Sequence, residues 1–193
     1  MTSKTLPRSW ALWVPVLGCL LLLAGTVAVD WRQTGRLPAI VPESVRSRTG
    51  DVGADDGYIG DARVGMEDTH LPAIAKLDPD LREAVRAAAA DADIPFRVTS
   101  GWRSRAYQEQ LLDQAIDKYG SRAEALRWVN TPDKSRHVTG EAIDIGPTDA
   151  AYWLSQHGAD YGLCQVYGNE IWHYELLTTP GGRCPALRAD GAS

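Results

Sequence analysis

Two histidines in this chain stand near carboxylates in a pattern that could hold a metal ion. Asp144 follows His137 by seven residues, and Gly140 between them can let the chain fold back so that both side chains reach one ion. Glu170 and His173 supply a second carboxylate and a second imidazole. Two nitrogens and one oxygen could bind zinc and leave the fourth tetrahedral position open for water, as a catalytic site requires.

Spacing alone also allows histidines that only form hydrogen bonds, but longer motifs surround these residues. The segment Ser135-x-His137-x-x-Gly140-x-Ala142-x-Asp144, followed by Glu170-x-Trp172-His173, resembles the paired signature of the VanY-like D-alanyl-D-alanine carboxypeptidases. These are zinc peptidases of bacterial cell walls with the Hedgehog/D-Ala-D-Ala peptidase fold. Upstream, Ser100-Gly101-Trp102-Arg103-Ser104 resembles the family's Ser-Gly-Tyr-Arg-Ser motif. The three motifs occur in the family's order over about residues 71 to 185.

The resemblance implies a role for each residue of the predicted centre. His137, Asp144 and His173 would bind one zinc ion, and Glu170 would be the catalytic base. Arg103 would polarise the scissile carbonyl and stabilise its oxyanion. The implied reaction is hydrolysis of the terminal peptide bond of peptidoglycan stem peptides ending in D-Ala-D-Ala.

The same resemblance suggests which residues contact the substrate. In relatives, the positions of Gln108 and Ser135 help to hold the terminal carboxylate of the peptide. Trp172 and Tyr107 could form walls of the pocket, but aromatic residues at such spacings more often pack in the core.

Other activities remain open, because relatives include D,D-dipeptidases, L,D-carboxypeptidases and L-alanyl-D-glutamate endopeptidases. A zinc-stabilised binding module without catalysis is a further alternative. Glu170 and Arg103 favour an enzyme, since a purely structural metal site needs neither. Departures from the family pattern at Trp102, Val138 and Ile171 bear on substrate preference.

The predicted elements around these motifs are helices first and strands later. Asp78-Pro79 is typical of a helix start, and apolar residues at helical spacing continue to Asp93. Further helices are predicted over 104–118, 122–129 and 149–156, with short strands over 96–99, 142–145, 165–167 and 171–177. We therefore predict an α+β fold over 71–185, a single compact domain with helices packed on a small, mostly antiparallel sheet.

One local feature of this fold must be irregular. A regular strand from Asn169 onward would put Glu170 and His173 on opposite faces of the sheet. Because both side chains must reach one water molecule, we predict a turn or bulge at 169–170, before the strand.

The N-terminal part of the chain differs from this domain. Trp10 to Val29 contains no charged residue and is long enough for a helix to cross a bilayer of ~30 Å. We predict a signal-anchor over 1–29, a stalk over 30–70 with local order near 58–64, and a C-terminal tail over 186–193. A signal peptide cleaved near Ala28 is the main alternative, and lipidation at Cys19 is a minor one.

Charge and cysteines bear on partners and compartment. The net charge of -5 argues against a broad electrostatic interface with nucleic acid. Cys164 and Cys184 are expected to form a disulfide in an oxidising compartment, with two free thiols in a reduced cytoplasm as the alternative. We expect a single-pass membrane protein with an extracytoplasmic domain, or a secreted one after cleavage. The arginines that follow the apolar run argue against that orientation.

Overall fold

The structure is a computed structural model, and it describes residues 52–193. The predicted signal-anchor over 1–29 lies outside the described residues, as does the first part of the predicted stalk. In the described part of the chain, no helix has both the length and the apolar character needed to cross a bilayer.

The described residues form short elements in a mixed order. The helices are α1 (Pro72–Ala75), α2 (Pro79–Asp91), α3 (Arg105–Tyr119), α4 (Arg122–Ala125), α5 (Arg136–Thr139) and α6 (Thr148–His157). The strands are β1 (Arg97–Ser100), β2 (Ala142–Gly146), β3 (Leu163–Gln165) and β4 (His173–Leu176). This arrangement confirms the predicted α+β class.

The four strands form one antiparallel sheet in the order β1-β2-β4-β3. Asp144 on β2 pairs with Ser100 on β1 and with His173 on β4. The three motifs found in the sequence, which contain Ser100, Asp144 and His173, therefore meet along one line that crosses the sheet.

Local signals explain the two longest helices. Asp78 caps α2 by accepting hydrogen bonds from the backbone N–H groups of Asp80 and Leu81, and Pro79 occupies the first turn. Ser104 caps α3 in the same way through the N–H of Tyr107. Gly120 ends α3 with φ of 77°, a conformation that side chains with a Cβ rarely adopt.

The core lies between α2, α6 and the sheet. Its fully buried members are Ile74, Leu81, Val85, Val98, Ile143, Ile145, Leu154, Leu163 and Tyr174. Leu81, Val85 and Ala88 share one face of α2, as their helical spacing predicts.

The packed domain extends beyond both predicted boundaries. Val64 and Met66 are buried in the core, and the carbonyl of Val64 accepts a hydrogen bond of 2.8 Å from the N–H of Val98. At the other end, Arg188 exchanges backbone hydrogen bonds with residues 166–168. Residues on the outer side of the predicted boundaries at 70 and 186 therefore also contact the domain. These segments are held by isolated bridges, which leave no periodic pattern in the sequence.

Candidate metal centre

Three different elements carry the predicted ligands. Asp144 is in the middle of β2, His173 begins β4 directly opposite, and His137 is in the short helix α5. Gly140 ends α5 with φ of 80°, and a Cβ there would clash with the carbonyl oxygen of Lys76. The expected role of this glycine in folding the chain back is confirmed.

The three ligand atoms form a nearly equilateral triangle. His137 Nε2 lies 3.2 Å from His173 Nδ1 and 3.3 Å from Asp144 Oδ1, and the latter two atoms are 3.1 Å apart. Ligands at the usual zinc distance of about 2.0–2.1 Å stand about 3.3 Å apart in a tetrahedron. The geometry therefore fits the face of a tetrahedral zinc site, with the fourth position open.

In His137 and Asp144, the polar side-chain atom that points away from the other ligands forms a hydrogen bond within the protein. The Nδ1–H of His137 donates to the carbonyl of Gly101 at 2.8 Å, so the lone pair of its Nε2 faces the other ligands. Asp144 Oδ2 accepts a hydrogen bond of 2.9 Å from Arg103, which leaves Oδ1 for a metal ion. All three ligands are buried.

The ionisation of the ligands favours a positive charge at their centre. Burial and the Arg103 guanidinium lower the pKa of His137. Burial acts to raise the pKa of Asp144, but His137, His173 and Arg103 hold it well below its usual range. Burial acts to lower the pKa of His173, yet its hydrogen bonds with Asp144 and Glu175 raise that pKa to about 9. Without a metal, protonated His173 supplies this positive charge, and a bound cation would take the place of the proton.

Arg103 is fixed by three side chains around the centre. Its Nε donates to Ser100 Oγ at 2.8 Å, one terminal nitrogen donates to Gln108 Oε1 at 3.1 Å, and the other donates to Asp144 Oδ2. Gln108 is buried, and its amide nitrogen donates to the carbonyl of Asn130 at 2.8 Å. Both ends of the Gln108 side chain are therefore engaged within the protein.

Glu170 lies at the entry of β4, in the irregular segment that the sequence predicts. Its N–H donates to the carbonyl of Tyr167 at 3.3 Å, and its own carbonyl accepts from the N–H of His173 at 3.2 Å. This tight turn confirms the predicted interruption before the strand. Burial raises the pKa of the Glu170 carboxyl to about 7.

The ligands, Arg103 and Glu170 share one cavity of about 180 Å³. Gln108, Ser135 and Trp172 also line it. Trp172 is 39% exposed and so lies at the rim rather than in the core. Tyr107 is half-buried and packs edge-on against Tyr58. The cavity thus brings together the predicted ligands, base, cation and substrate-binding residues, whereas Tyr107 is not among the residues that line it.

Sequence reasoning missed Glu175, a buried carboxylate next to the ligands. Its Oε1 lies 3.2 Å from His173 Nε2. The available signal was its position two residues after His173, which places both side chains on one face of a strand.

The two cysteines of the domain form a disulfide. Cys164 on β3 is bonded to Cys184, with their Cα atoms 5.6 Å apart. The expected pairing is confirmed.

Comparison with known proteins identifies the family. Residues 75–178 match the family model described as VanY: D-alanyl-D-alanine carboxypeptidase. The chain belongs to the VanY family. It is also 28% identical over 127 residues to a D-alanyl-D-alanine carboxypeptidase of Enterococcus faecalis (strain ATCC 700802 / V583). The match covers 53% of this chain and 47% of that relative, so the chain spans about half the relative's length.

Several solved structures resemble part of this chain. The vancomycin resistance D,D-pentapeptidase VanY from a VanB-type cassette, in complex with Zn(II), has a TM-score of 0.48 and 24% identity over 51% of this chain and 71% of that one. The LD-carboxypeptidase LdcB has a TM-score of 0.48 and 22% identity over 67% and 72%. DacB from Streptococcus pneumoniae D39 has a TM-score of 0.41 and 25% identity over 65% and 84%.

Proposed function

We propose that this chain is a zinc-dependent carboxypeptidase that hydrolyses the terminal bond of peptidoglycan stem peptides ending in D-Ala-D-Ala. One observation carries the proposal. In a member of the VanY family, His137, Asp144 and His173 present three ligand atoms 3.1–3.3 Å apart in the cavity that also holds Glu170 and Arg103. A site with a purely structural role needs neither the buried Glu170 carboxylate nor the partly buried Arg103 guanidinium.

His137, Asp144 and His173 would hold one zinc ion. When bound, zinc acts as a Lewis acid, which can lower the pKa of water from 15.7 to about 7 and polarise a carbonyl oxygen. The chain contributes the orientation of these ligands through Gly101, which accepts from His137, and Arg103, which donates to Asp144.

Glu170 is suited to move the proton. A carboxylate with a pKa of about 7 can accept a proton from the attacking water near neutral pH and return it afterwards. The water oxygen bonds to the carbonyl carbon, the C–N bond breaks, and the proton leaves on the amine of the released D-alanine. In residues 52–193, no side chain donates a hydrogen bond to the Glu170 carboxylate, so it is available to water.

Arg103 is suited to stabilise the developing negative charge on the carbonyl oxygen. A guanidinium has five N–H donors, and three are used by Ser100, Gln108 and Asp144. The remaining two N–H groups can donate to substrate from a side chain that the other three bonds hold rigid.

Ser135 and Trp172 would contact the peptide directly. Ser135 is a buried residue in the wall of the cavity, and its hydroxyl can donate to the terminal carboxylate. The Trp172 ring at the rim can cover the peptide. Gln108 would act on substrate mainly by holding Arg103, since both ends of its amide are engaged. The small cavity suits one or two alanine-sized residues.

We further propose that the domain works outside the cytoplasm, anchored by the apolar segment over 10–29. The disulfide between Cys164 and Cys184 supports an oxidising compartment. Peptidoglycan stem peptides are found on that side of a bacterial membrane.

Product masses test the proposal and separate the related activities. Zinc-loaded protein is incubated with a stem pentapeptide ending in D-Ala-D-Ala, the corresponding tetrapeptide, free D-Ala-D-Ala, and an intact muropeptide. We expect loss of one alanine from the pentapeptide only, abolished by chelator and by Glu170→Gln. Loss from the tetrapeptide, cleavage of the dipeptide, or cleavage between L-Ala and D-Glu would each replace the proposed bond with another. An unchanged set of masses would refute catalysis and favour a binding module.

A further inference from the structure

Glu175 is a buried carboxylate in the middle of the sheet. It follows His173 by two residues on β4, which lies between β2 and β3. Its backbone is opposite Ala142 on one side and Cys164 on the other. Only 6% of Glu175 is exposed, although a carboxylate costs several kcal/mol to bury without a partner.

Among residues 52–193, the hydrogen-bond partner of the Glu175 carboxylate is His173. Glu175 Oε1 lies 3.2 Å from His173 Nε2. Arg136, which lines the same adjacent cavity as Glu175, is paired with Glu141 at 2.6 Å. The burial of Glu175 is therefore compensated through the imidazole ring of a metal ligand.

This contact determines which nitrogen of His173 can face a metal. A neutral imidazole has one N–H and one lone pair. His173 Nδ1 faces Asp144 Oδ1 and His137 Nε2, at 3.1 and 3.2 Å. When a metal is bound at Nδ1, the one remaining proton must be on Nε2, where Glu175 accepts it.

The other histidine ligand is held in the reverse manner. His137 directs Nδ1–H to a neutral acceptor, the Gly101 carbonyl, and offers Nε2 to the centre. His173 directs Nε2–H to a charged acceptor and offers Nδ1. A carboxylate acceptor increases the basicity of the imidazole more than a carbonyl does, so Glu175 would strengthen the bond from His173 to a cation.

We infer that Glu175 is a positioning residue of the metal centre, which fixes the tautomer and ring orientation of His173 and so sets the affinity for zinc. The inference rests on the zinc site of the proposed function. It assigns to Glu175 no contact with substrate.

Zinc affinity of variants is the direct test. The dissociation constant is measured by competition with a chromophoric chelator for the unmodified protein, Glu175→Gln, Glu175→Met and the control Glu141→Gln. Removing such a supporting acceptor costs 10–100-fold in metal affinity. We expect a loss in that range for Glu175→Met, a smaller loss for Glu175→Gln, whose amide oxygen can still accept the proton, and no change for Glu141→Gln, whose side chain contacts Arg136 and Thr139 away from the ligands.

A second measurement does not depend on the folding of variants. Nitrogen-15 NMR of the zinc-loaded, unmodified protein should show His173 protonated at Nε2, with slow exchange of that proton. Protonation at Nδ1 would overturn the inference. The inference would also be overturned if folded Glu175→Met had a zinc dissociation constant within twofold of that of the unmodified protein. It would be overturned as well if the only effect of Glu175→Met were on the KM for the stem peptide. Failure of the unmodified protein to bind zinc would overturn both the inference and the proposed function, whereas the other outcomes leave the proposed function intact.

Discussion

Replacing Glu170 with glutamine should stabilise the metal-free protein and abolish the activity of the zinc-loaded protein. Burial raises the pKa of the Glu170 carboxyl from 4.5 to about 7, so folding disfavours its charged form. A group with a raised pKa contributes fully to stability below its unfolded pKa, and this contribution is lost as the pH rises through the folded value. Glutamine, which is neutral at every pH, avoids this loss.

The two pKa values give the size of the effect. At 1.36 kcal/mol per pKa unit, the carboxylate costs about 1 kcal/mol at pH 5 and about 3 kcal/mol at pH 8. The free energy of unfolding gained by Glu170→Gln should therefore be about 2 to 3 kcal/mol larger at pH 8 than at pH 5. Urea unfolding of chelator-treated protein with its disulfide intact, at both pH values, measures this difference.

Glu141 provides a matched control for the sign. Its carboxyl is about half exposed, and hydrogen bonds from Thr139 and Arg136 lower its pKa despite partial burial. Glu141→Gln should therefore lose stability at pH 8 relative to low pH, the opposite direction. A gain for Glu170→Gln that is equal at the two pH values, or larger at pH 5, would refute the reasoning about its burial.

Three further predictions concern Arg103, Trp172 and the disulfide. Arg103→Lys cannot bond Ser100, Gln108 and Asp144 together, so kcat should fall by about 10²–10³ with a smaller change in KM, measured by D-alanine release. Trp172→Ala should raise KM but leave the urea midpoint unchanged, since this ring lies at the rim; a loss of stability would mean that it packs in the core. Replacing Cys164 and Cys184 with alanine opens a link of sequence separation 20 and should cost about 3 kcal/mol in urea unfolding; an unchanged midpoint would contradict this.

The sequence predicted the periodic parts of the fold. The Asp78-Pro79 start, the Ser104 cap and the Gly120 stop mark α2 and α3 because capping is a local interaction. The third strand was predicted over 165–167 but is formed by Leu163–Gln165, because a short apolar run does not determine where a strand begins and ends. The helix predicted over 122–129 ends at Ala125.

Segments held by distant partners were not predictable. Val64 is buried in the core beside its bridge partner Val98, and the backbone of the exposed Arg188 is bridged to Tyr167. Such contacts depend on the tertiary structure and leave no local pattern. They explain why the predicted stalk includes packed residues and why the predicted tail is bonded to the domain through its backbone.

The ligands, Arg103 and Glu170 could be found because their motifs lie in three short segments. Their supporting contacts could not. Gln108 is predicted to bind substrate, and its hydrogen bonds with Arg103 and the Asn130 carbonyl appear only in the structure. Glu175 was not predicted, because its contact with the far side of the His173 ring exists only once β4 has formed.

Titration of zinc into metal-free protein, with D-alanine release from a stem pentapeptide followed at each step, tests the central claim most directly. Among the described residues, the side chains of His137, Asp144 and His173 lie close enough together that they could hold one metal ion. Release should therefore rise in proportion to zinc, reach its maximum at one zinc per chain, and be absent in His173→Ala at the same zinc concentration. Release that is independent of zinc, or no release at one equivalent, would contradict the proposal.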